Sequence, residues 1–308
     1  MRPFSIVLPN IRDLFLVFVG MIQSIYKLIV WRPDVVFTKG GYVCLPVGLA
    51  ARLLRITLVI HDSDAHPGLT NRILSRFANS IATGAPLSYY NYDINKSRYI
   101  GTPISSLYKP IKDTEMKKAK SDLGFNPNKP LTIVTGGGLG ADRINDVVVK
   151  ELKDLMKITS IMLISGTKHY ESIRNKIPID NKSFQLKGFV ANGMPNILSA
   201  ADLVVARAGA TTILELAALA KPTILIPNGY LTGGHQLKNA AVYKNSGATI
   251  VLDESELDID PAKLTEYVKF LIQNKSVMKK MSRKFHSFAK PNAAIDMADM
   301  ILNASKES

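Results

Sequence analysis

Leu203–Ala217 reads LVVARAGATTILELA. An apolar run ends in Arg207, passes through Ala-Gly-Ala-Thr-Thr, and enters an apolar helix that carries Glu215. Small residues at a strand-to-helix junction let a ligand phosphate approach the backbone. The helix N-terminus offers N–H groups without intrahelical partners and the positive end of a dipole. Arg207 adds a charge that does not titrate. Glu215, one turn into the helix, can accept hydrogen bonds from vicinal sugar hydroxyls. Together these predict a site for a nucleoside diphosphate with a free ribose. The plain alternative is an ordinary strand–turn–helix with Arg207 as a surface charge.

Working outward, a second glycine junction supports the ligand reading. The strand Leu131–Thr135 runs into Gly136-Gly137-Gly138-Leu139-Gly140-Ala141, then into a helix with apolar Ile144, Val147, Val148, Leu152 and Leu155. No acidic residue follows at the spacing of a dinucleotide fold, because the next strand, Ile161–Ser165, ends in Gly166 and Thr167. A nicotinamide enzyme is therefore disfavoured. A third junction is DVVFTK, Asp34–Lys39, leading into Gly40-Gly41-Tyr42. The strand Leu58–Ile60 ends in His61-Asp62-Ser63-Asp64-Ala65-His66-Pro67-Gly68. Titratable residues thus gather where strands end, which is where open α/β sheets bind ligands. His61 reads equally as a hydrogen-bonded loop histidine. No further His/Cys/Asp cluster completes a metal site, so none is expected.

The 308 residues suffice for two domains, and 46% are hydrophobic. Strands alternate with helical patterns throughout, which predicts parallel sheets built from βαβ units. Cys44 is the one cysteine; a disulfide framework is excluded, and Cys44 reads as a small core residue. The formal net charge is +14. Its dense runs, Lys117, Lys118 and Lys120, and Lys279, Lys280, Arg283 and Lys284, carry no interleaved aromatic residues. Nucleic acid is disfavoured on that ground, leaving an anionic membrane surface and phosphorylated substrates as the functional readings of the charge, with a solvated basic surface accounting for much of it either way.

Leu14–Val30, LFLVFVGMIQSIYKLIV, is almost wholly apolar and close to the length needed to span a bilayer. Gln23, Ser24 and Lys27 interrupt it. The favoured reading is a helix that packs on the sheet ahead of Asp34–Thr38 and lies on the membrane; a spanning anchor is the alternative.

Four strands, Asp34–Thr38, Leu58–Ile60, Asn79–Ala82 and Arg98–Ile100, with helices near Pro46–Arg55 and Leu69–Ala78, form a first domain. A linker from Gly101-Thr102-Pro103 runs to about Lys112, and Asp113 caps a short charged helix ending before Gly124. A second domain takes strands at Leu131–Thr135, Ile161–Ser165, Phe184–Leu186, Leu203–Val205, Thr223–Ile226 and Thr249–Val251, with a helix at Gln236–Ser246. Pro291 opens a last helix with Ile295, Ala298, Ile301 and Leu302 on one face, able to pack back on the first domain. The expected architecture is two α/β domains facing each other across a cleft.

Six stretches in order resemble the MurG-type glycosyltransferases: DVVFTKGGYVCLPVGLAARL (Asp34–Leu53), IHDSDAHPGLTNR (Ile60–Arg72), GTPI (Gly101–Ile104), GGGLGADRIN (Gly136–Asn145), ARAGATTILELAALAKP (Ala206–Pro222) and HQLKNA (His235–Ala240). The resemblance covers nearly the whole chain from Asp34. It implies two Rossmann-like domains of the GT-B type. It also implies transfer of N-acetylglucosamine from UDP-N-acetylglucosamine to lipid I, making lipid II of peptidoglycan, at the cytoplasmic face of the membrane and without a metal or other cofactor. Residues 1–104 would be the acceptor and membrane-side domain, 105–290 the donor domain, and 291–308 the returning helix.

By position, the resemblance places Gly138, Val190, Arg207, Ala210, Thr211, Thr212, Glu215, His235 and Gln236 on the donor. Val190 would meet uracil, Arg207 and the Ala210–Thr212 turn the diphosphate, Glu215 the ribose, and His235 and Gln236 the transferred sugar. Gly40, Gly41, Tyr42, Asp64 and Asn71 would lie on the acceptor side. Gly138 stands in place of a usual serine, and Ser105 in place of a common arginine. The family's first glycine-rich loop, ending in a candidate base histidine, has no counterpart in these residues, so the N-terminal domain reads as incomplete. Either the start lies upstream, or a separate polypeptide supplies that part, or the chain is degenerate and binds without catalysis. With that loop absent, His61, Asp62 and Asp64 are the candidate bases. A transferase acting on another membrane lipid is a further alternative.

Overall fold

A computed structural model describes residues 7–137, 141–177, 181–229 and 234–306, with side chains in the first helix from Phe15 onward. The chain divides into two compact units, Met1–Pro103 with Asn292–Ser308, and Ile104–Pro291.

The first unit runs α1 (Val7–Trp31), β1 (Val35–Thr38), α2 (Cys44–Leu53), β2 (Thr57–Asp62), α3 (Leu69–Leu74), β3 (Ser80–Thr83), a 3-10 turn (Leu87–Tyr89) and β4 (Ser97–Tyr99). The strands pair in parallel in the order β1-β2-β3-β4. A parallel strand covered on both faces reads as a continuous apolar run, and every residue of β2 is buried. Leu58 and Ile60 pack with Val36 and Ile81 against Ala50 and Ala51 of α2, Leu74 of α3 and Leu28 of α1. Helices α2 and α3 approach so closely that a Cβ on Gly48 would lie 2.6 Å from a methyl of Leu74. Helix α3 stops four residues short of the expected Ala78. The Phe77 and Ala78 amides both donate to the Leu74 carbonyl at 2.9 Å, turning the chain into β3. Cys44 opens α2 and is half-buried, at a helix start rather than in the core.

The second unit runs α4 (Asp113–Asp122), β5 (Leu131–Thr135), α5 (Asp142–Ile158), β6 (Ser160–Ile164), α6 (Thr167–Arg174), β7 (Phe184–Lys187), α7 (Met194–Ser199), β8 (Leu203–Ala206), α8 (Ala210–Ala218), β9 (Thr223–Leu225), α9 (His235–Asn245), β10 (Ile250–Val251), α10 (Glu254–Ile259), α11 (Ala262–Gln273) and α12 (Lys275–His286). Its six strands are all parallel, in the order β10-β9-β8-β5-β6-β7. Chain progression therefore reverses between β5 and β8. Asp113 is the first residue of α4, not its cap. Lys112 holds the cap position, and its amide donates to Glu115 Oε2 at 2.8 Å.

Lys120, expected on a basic surface, is instead 3% exposed. Its ammonium pairs with Asp202 at 2.5 Å and donates to the Lys129 carbonyl at 3.2 Å. Nearby Lys221 donates to the Ser199 and Ala201 carbonyls at 2.7 and 2.9 Å. Burial lowers its pKa to about 8; Lys120 adds to the shift and Asp202 opposes it. Two of the chain's positive charges thus tie α4, α7 and β8 together.

The last helix, α13 (Ala293–Lys306), belongs to the first unit. Its buried face is Ala293, Met297, Met300 and Ala304, packed on Val59, Ala82 and Ile100. Of the expected face only Ile301 packs against this cluster, half-buried, while Ile295 is 63% and Leu302 58% exposed. The helix carries two apolar stripes. The one with an alanine at each end and flexible methionines between is the one that packs on the sheet. Met300→Ala should cost about 2–5 kcal/mol, and Ile295→Ala at most about 0.5 kcal/mol. Urea unfolding of the two variants checks this; equal losses would return Ile295 to the core.

Candidate functional site

In a parallel sheet the place where strand order reverses leaves a crevice outside the carboxyl ends of the strands. In the second unit that crevice lies between β5 and β8, where Thr135 stands opposite Ala206. The two junctions singled out from sequence flank it. After β5, Gly137 turns at φ +78°, and its amide donates to Thr135 Oγ1 at 3.2 Å. Gly138 lies outside the described residues. After β8, Gly209 is extended and α8 begins at Ala210. The first helical bond of the turn runs from the Ile213 amide to the Gly209 carbonyl at 3.0 Å. The amides of Ala210, Thr211 and Thr212 therefore have no acceptor within the helix, which makes an anion site.

His235 and Gln236 open α9, after Gly234 at φ +60°. Asn239 Nδ2 donates to the Ala208 carbonyl at 3.2 Å, so the start of α9 is tied to the turn before α8. Gln236 Oε1 accepts from the Asn228 amide at 2.9 Å. Val190 is half-buried in the loop after β7, at the far edge of the same sheet.

Glu215 is half-buried on the second turn of α8. Burial raises its pKa, and a hydrogen bond from the Tyr108 hydroxyl opposes the rise. Tyr108 comes from the stretch read as a plain linker, and nothing in its spacing announced a partner.

Arg207 is 8% exposed, so it is no surface charge. Nη2 pairs with Glu254 Oε1 at 2.5 Å and Nη1 donates to the Ile226 carbonyl at 3.2 Å. Arg143 joins the cluster, 3.0 Å from Asp258 and 3.7 Å from the second Glu254 oxygen. A guanidinium this deep needs a counter-charge. Glu254, at the start of α10 and far away in sequence, provides it.

In the first unit the residues expected on the acceptor side gather near the carboxyl ends of the strands. Gly40 and Gly41 turn at φ +80° and +85°. A Cβ on Gly40 would meet the Asn71 side-chain nitrogen at 3.0 Å, so the glycine loop lies against Asn71. Tyr42 is 83% exposed. Asn71 is buried; its nitrogen donates to the His61 carbonyl at 3.0 Å. Its Oδ1, with Thr38 Oγ1 and Thr102 Oγ1, is buried without a hydrogen-bond partner among the described residues. The two threonines did not stand out in sequence, since neither belongs to a polar cluster there.

The three candidate bases separate. His61 is fully buried at the end of β2. Nε2 bonds the Gly101 carbonyl at 2.8 Å and Nδ1 lies 3.2 Å from Ser63 Oγ. Burial lowers its pKa, which leaves a neutral ring with both nitrogens occupied. Asp62 is 5% exposed and accepts from Tyr92 at 2.7 Å and from Asn71. Burial pushes its pKa up to about 6 against those hydrogen bonds. Asp64 is half-buried, the most open of the three. Among the described residues no group of three or more His, Cys, Asp or Glu is placed to hold a metal ion.

Helix α1 buries Leu28 and turns Phe15, Leu16, Phe18, Ile22, Tyr26, Ile29, Val30 and Trp31 outward. The Ser24 hydroxyl donates to the Gly20 carbonyl at 2.6 Å, which removes its polar cost. Among the described residues no helix is long and apolar enough to cross a membrane.

With this geometry in hand, the chain matches the glycosyltransferase family 28 C-terminal domain over residues 131–297 and its N-terminal domain over residues 3–83. It belongs to that family and is a glycosyltransferase. A relative from Halalkalibacterium halodurans is 36% identical over 279 residues, 90% of this chain and 75% of the relative. One from Bacillus subtilis is 32% identical over 301 residues, 96% of this chain and 81% of the relative. Both are named UDP-N-acetylglucosamine--N-acetylmuramyl-(pentapeptide) pyrophosphoryl-undecaprenol N-acetylglucosamine transferase. The crystal structure of Acinetobacter baumannii MurG superposes with a TM-score of 0.77 at 25% identity, covering 98% of this chain and 82% of that one. The two-unit fold is thus the GT-B fold of this family.

Asp62 makes stability depend on pH. Its folded pKa, about 6, exceeds its ordinary 3.8, so between those values the folded chain holds more protons than the unfolded one. Stability should therefore fall as pH rises through that window, by as much as about 3 kcal/mol, and level off above it. Asp62→Asn should remove this slope and be the more stable protein at pH 7. Thermal melts of both proteins from pH 3.5 to 7.5 decide it; parallel profiles would mean that Asp62 does not titrate in this window.

Proposed function

We propose that this chain transfers N-acetylglucosamine from UDP-N-acetylglucosamine to lipid I, forming lipid II in peptidoglycan synthesis. The observation that carries the reading is the β5/β8 crevice, where the open first turn of α8 and the Glu215 carboxylate lie on one helix. A diphosphate seated on the amides of Ala210–Thr212 puts its ribose within reach of Glu215, the uracil toward Val190, and the sugar toward His235 and Gln236. The relatives' shared name supplies the identity of donor and acceptor.

The transfer needs no cofactor in this reading. The acceptor hydroxyl attacks the anomeric carbon, its proton passes to a base, and UDP departs with the bond pair. The dipole of α8 stabilises the departing diphosphate, in place of a metal. Arg207 contributes as part of a neutralised pair with Glu254, so the amides carry more of this task than the sequence suggested. On the acceptor side, the unpartnered oxygens of Thr38, Asn71 and Thr102 suit a ligand with donor groups. Asp64 is the carboxylate we assign as base, because His61 and Asp62 are sealed in the fold.

The outward face of α1, beside exposed Lys27 and Arg32, suits a helix lying on an anionic membrane at its cytoplasmic side, where lipid I is presented.

Glu215→Ala leaves the ribose hydroxyls without an acceptor and should weaken UDP binding by roughly 1.5–3 kcal/mol, the range for hydrogen bonds to a charged group. Titration calorimetry of UDP into each protein measures this, and equal affinities would remove Glu215 from the site.

Washing membranes with high salt and then alkaline carbonate should release most of the protein. Retention through both, with release only by detergent, would show that the apolar helix is inserted across the bilayer.

A further inference from the structure

The loop between β2 and α3, Ser63–Gly68, has no regular secondary structure, yet it carries Asp64. Two supports hold it. From below, Gly84 follows β3 directly, and a Cβ there would collide with the Ser63 carbonyl oxygen; the loop lies on that strand end. From the side, the β3–β4 connection offers two tyrosines in parallel stack, Tyr90 and Tyr92, with ring centroids 5.5 Å apart and planes 13° apart. The Tyr90 hydroxyl donates to the Asp64 carbonyl at 2.6 Å and accepts from the Ala85 amide at 3.2 Å. The Tyr92 hydroxyl donates to Asp62 Oδ2 at 2.7 Å.

Phenylalanine would fill the same space and make the same stack. A buried hydroxyl is unfavourable unless it finds a partner, and the two partners here flank Ser63, Asp62 at the end of β2 and Asp64 on the loop. Ser63 in turn holds His61. The hydroxyls therefore act on the loop rather than on the packing.

We infer that Tyr90 and Tyr92 are positioning residues for the transfer reaction, a stacked clamp that fixes the Asp64 backbone and the Asp62 carboxylate so that the Asp64 side chain is held ready for the acceptor. The inference rests on Asp64 being the base. The clamp also sets the charge environment of the loop. Facing Asp62 are Asp64 on its own loop, Tyr90 and Tyr92 from the β3–β4 connection, and Asn71 from α3, with Arg72 of α3 near Tyr92. Lys39, at the end of β1, faces His61.

The test uses the full chain with Tyr90→Phe, Tyr92→Phe and Asp64→Asn, assayed with UDP-N-acetylglucosamine and a lipid I analogue, alongside UDP calorimetry. Tyr90→Phe should lower kcat about tenfold, the size of effect a slightly misplaced group produces, with UDP affinity unchanged. Added to Asp64→Asn, it should cost nothing further. Tyr92→Phe should likewise lower kcat with UDP affinity unchanged, because the Asp62 carboxylate, two residues from Asp64, loses the donor that fixes it. Hydrogen exchange gives a readout independent of turnover: amides of Ser63–Gly68 should exchange faster in both phenylalanine variants, and those of α8 should not. Wild-type kcat and exchange in both variants, with Asp64→Asn slow, would overturn the clamp. So would an equal loss of UDP affinity, which marks general unfolding. A wild-type rate in Asp64→Asn would instead remove the base assignment, and with it the clamp's purpose.

Discussion

A parallel strand can hydrogen-bond on both edges and be covered on both faces, so it has nowhere to put a polar side chain except at its ends. Every strand pair described in this chain is parallel. That constraint concentrates the chemistry. Thr135, Arg207, Thr38, His61 and Asp62 all stand at or just past the carboxyl end of a strand, and the helix that follows each strand opens beside them. In the second unit the reversal of strand order between β5 and β8 parts two such helices and leaves room for a ligand.

The same constraint explains why so much of the fold could be read from sequence. Leu203–Ala206 is an unbroken apolar run and Leu131–Thr135, LTIVT, a largely apolar one; both are bounded by polar or glycine junctions, and the strands lie where those runs are. The open first turn of α8 at Ala210–Thr212 was legible because it depends only on neighbours along the chain. The misses share one property: the deciding contact is distant along the chain. Glu254 neutralises Arg207 from another helix, Tyr108 reaches Glu215 from a connecting segment, and Tyr92 finds Asp62 across the sheet. The face of α13 was misread for a related reason. Periodicity offered two apolar stripes, and only the contact with the sheet selects the methionine stripe.

Charge follows this pattern too. A net charge of +14 suggests a uniformly basic surface, yet Lys120, Lys221 and Arg207 are buried. Each is held by carbonyl oxygens, and two of them also by a carboxylate. Their task is to join segments. Removing one partner would strand a charge in the interior, which costs far more than the pair contributes. The basic residues left outside, Lys27 and Arg32 beside the apolar face of α1 among them, are those free to meet an anionic surface.

The first unit is closed by a helix from the other end of the chain, with the whole second unit encoded in between. During synthesis on the ribosome, Val59, Ala82 and Ile100 therefore emerge long before Ala293–Lys306 exists to cover them. The second unit, contiguous in sequence, can complete itself first, while the first waits with one side of its sheet bare. Order of synthesis and order of completion are thus reversed. In the interval that apolar surface is open to chaperones, to the bilayer, or to another nascent chain.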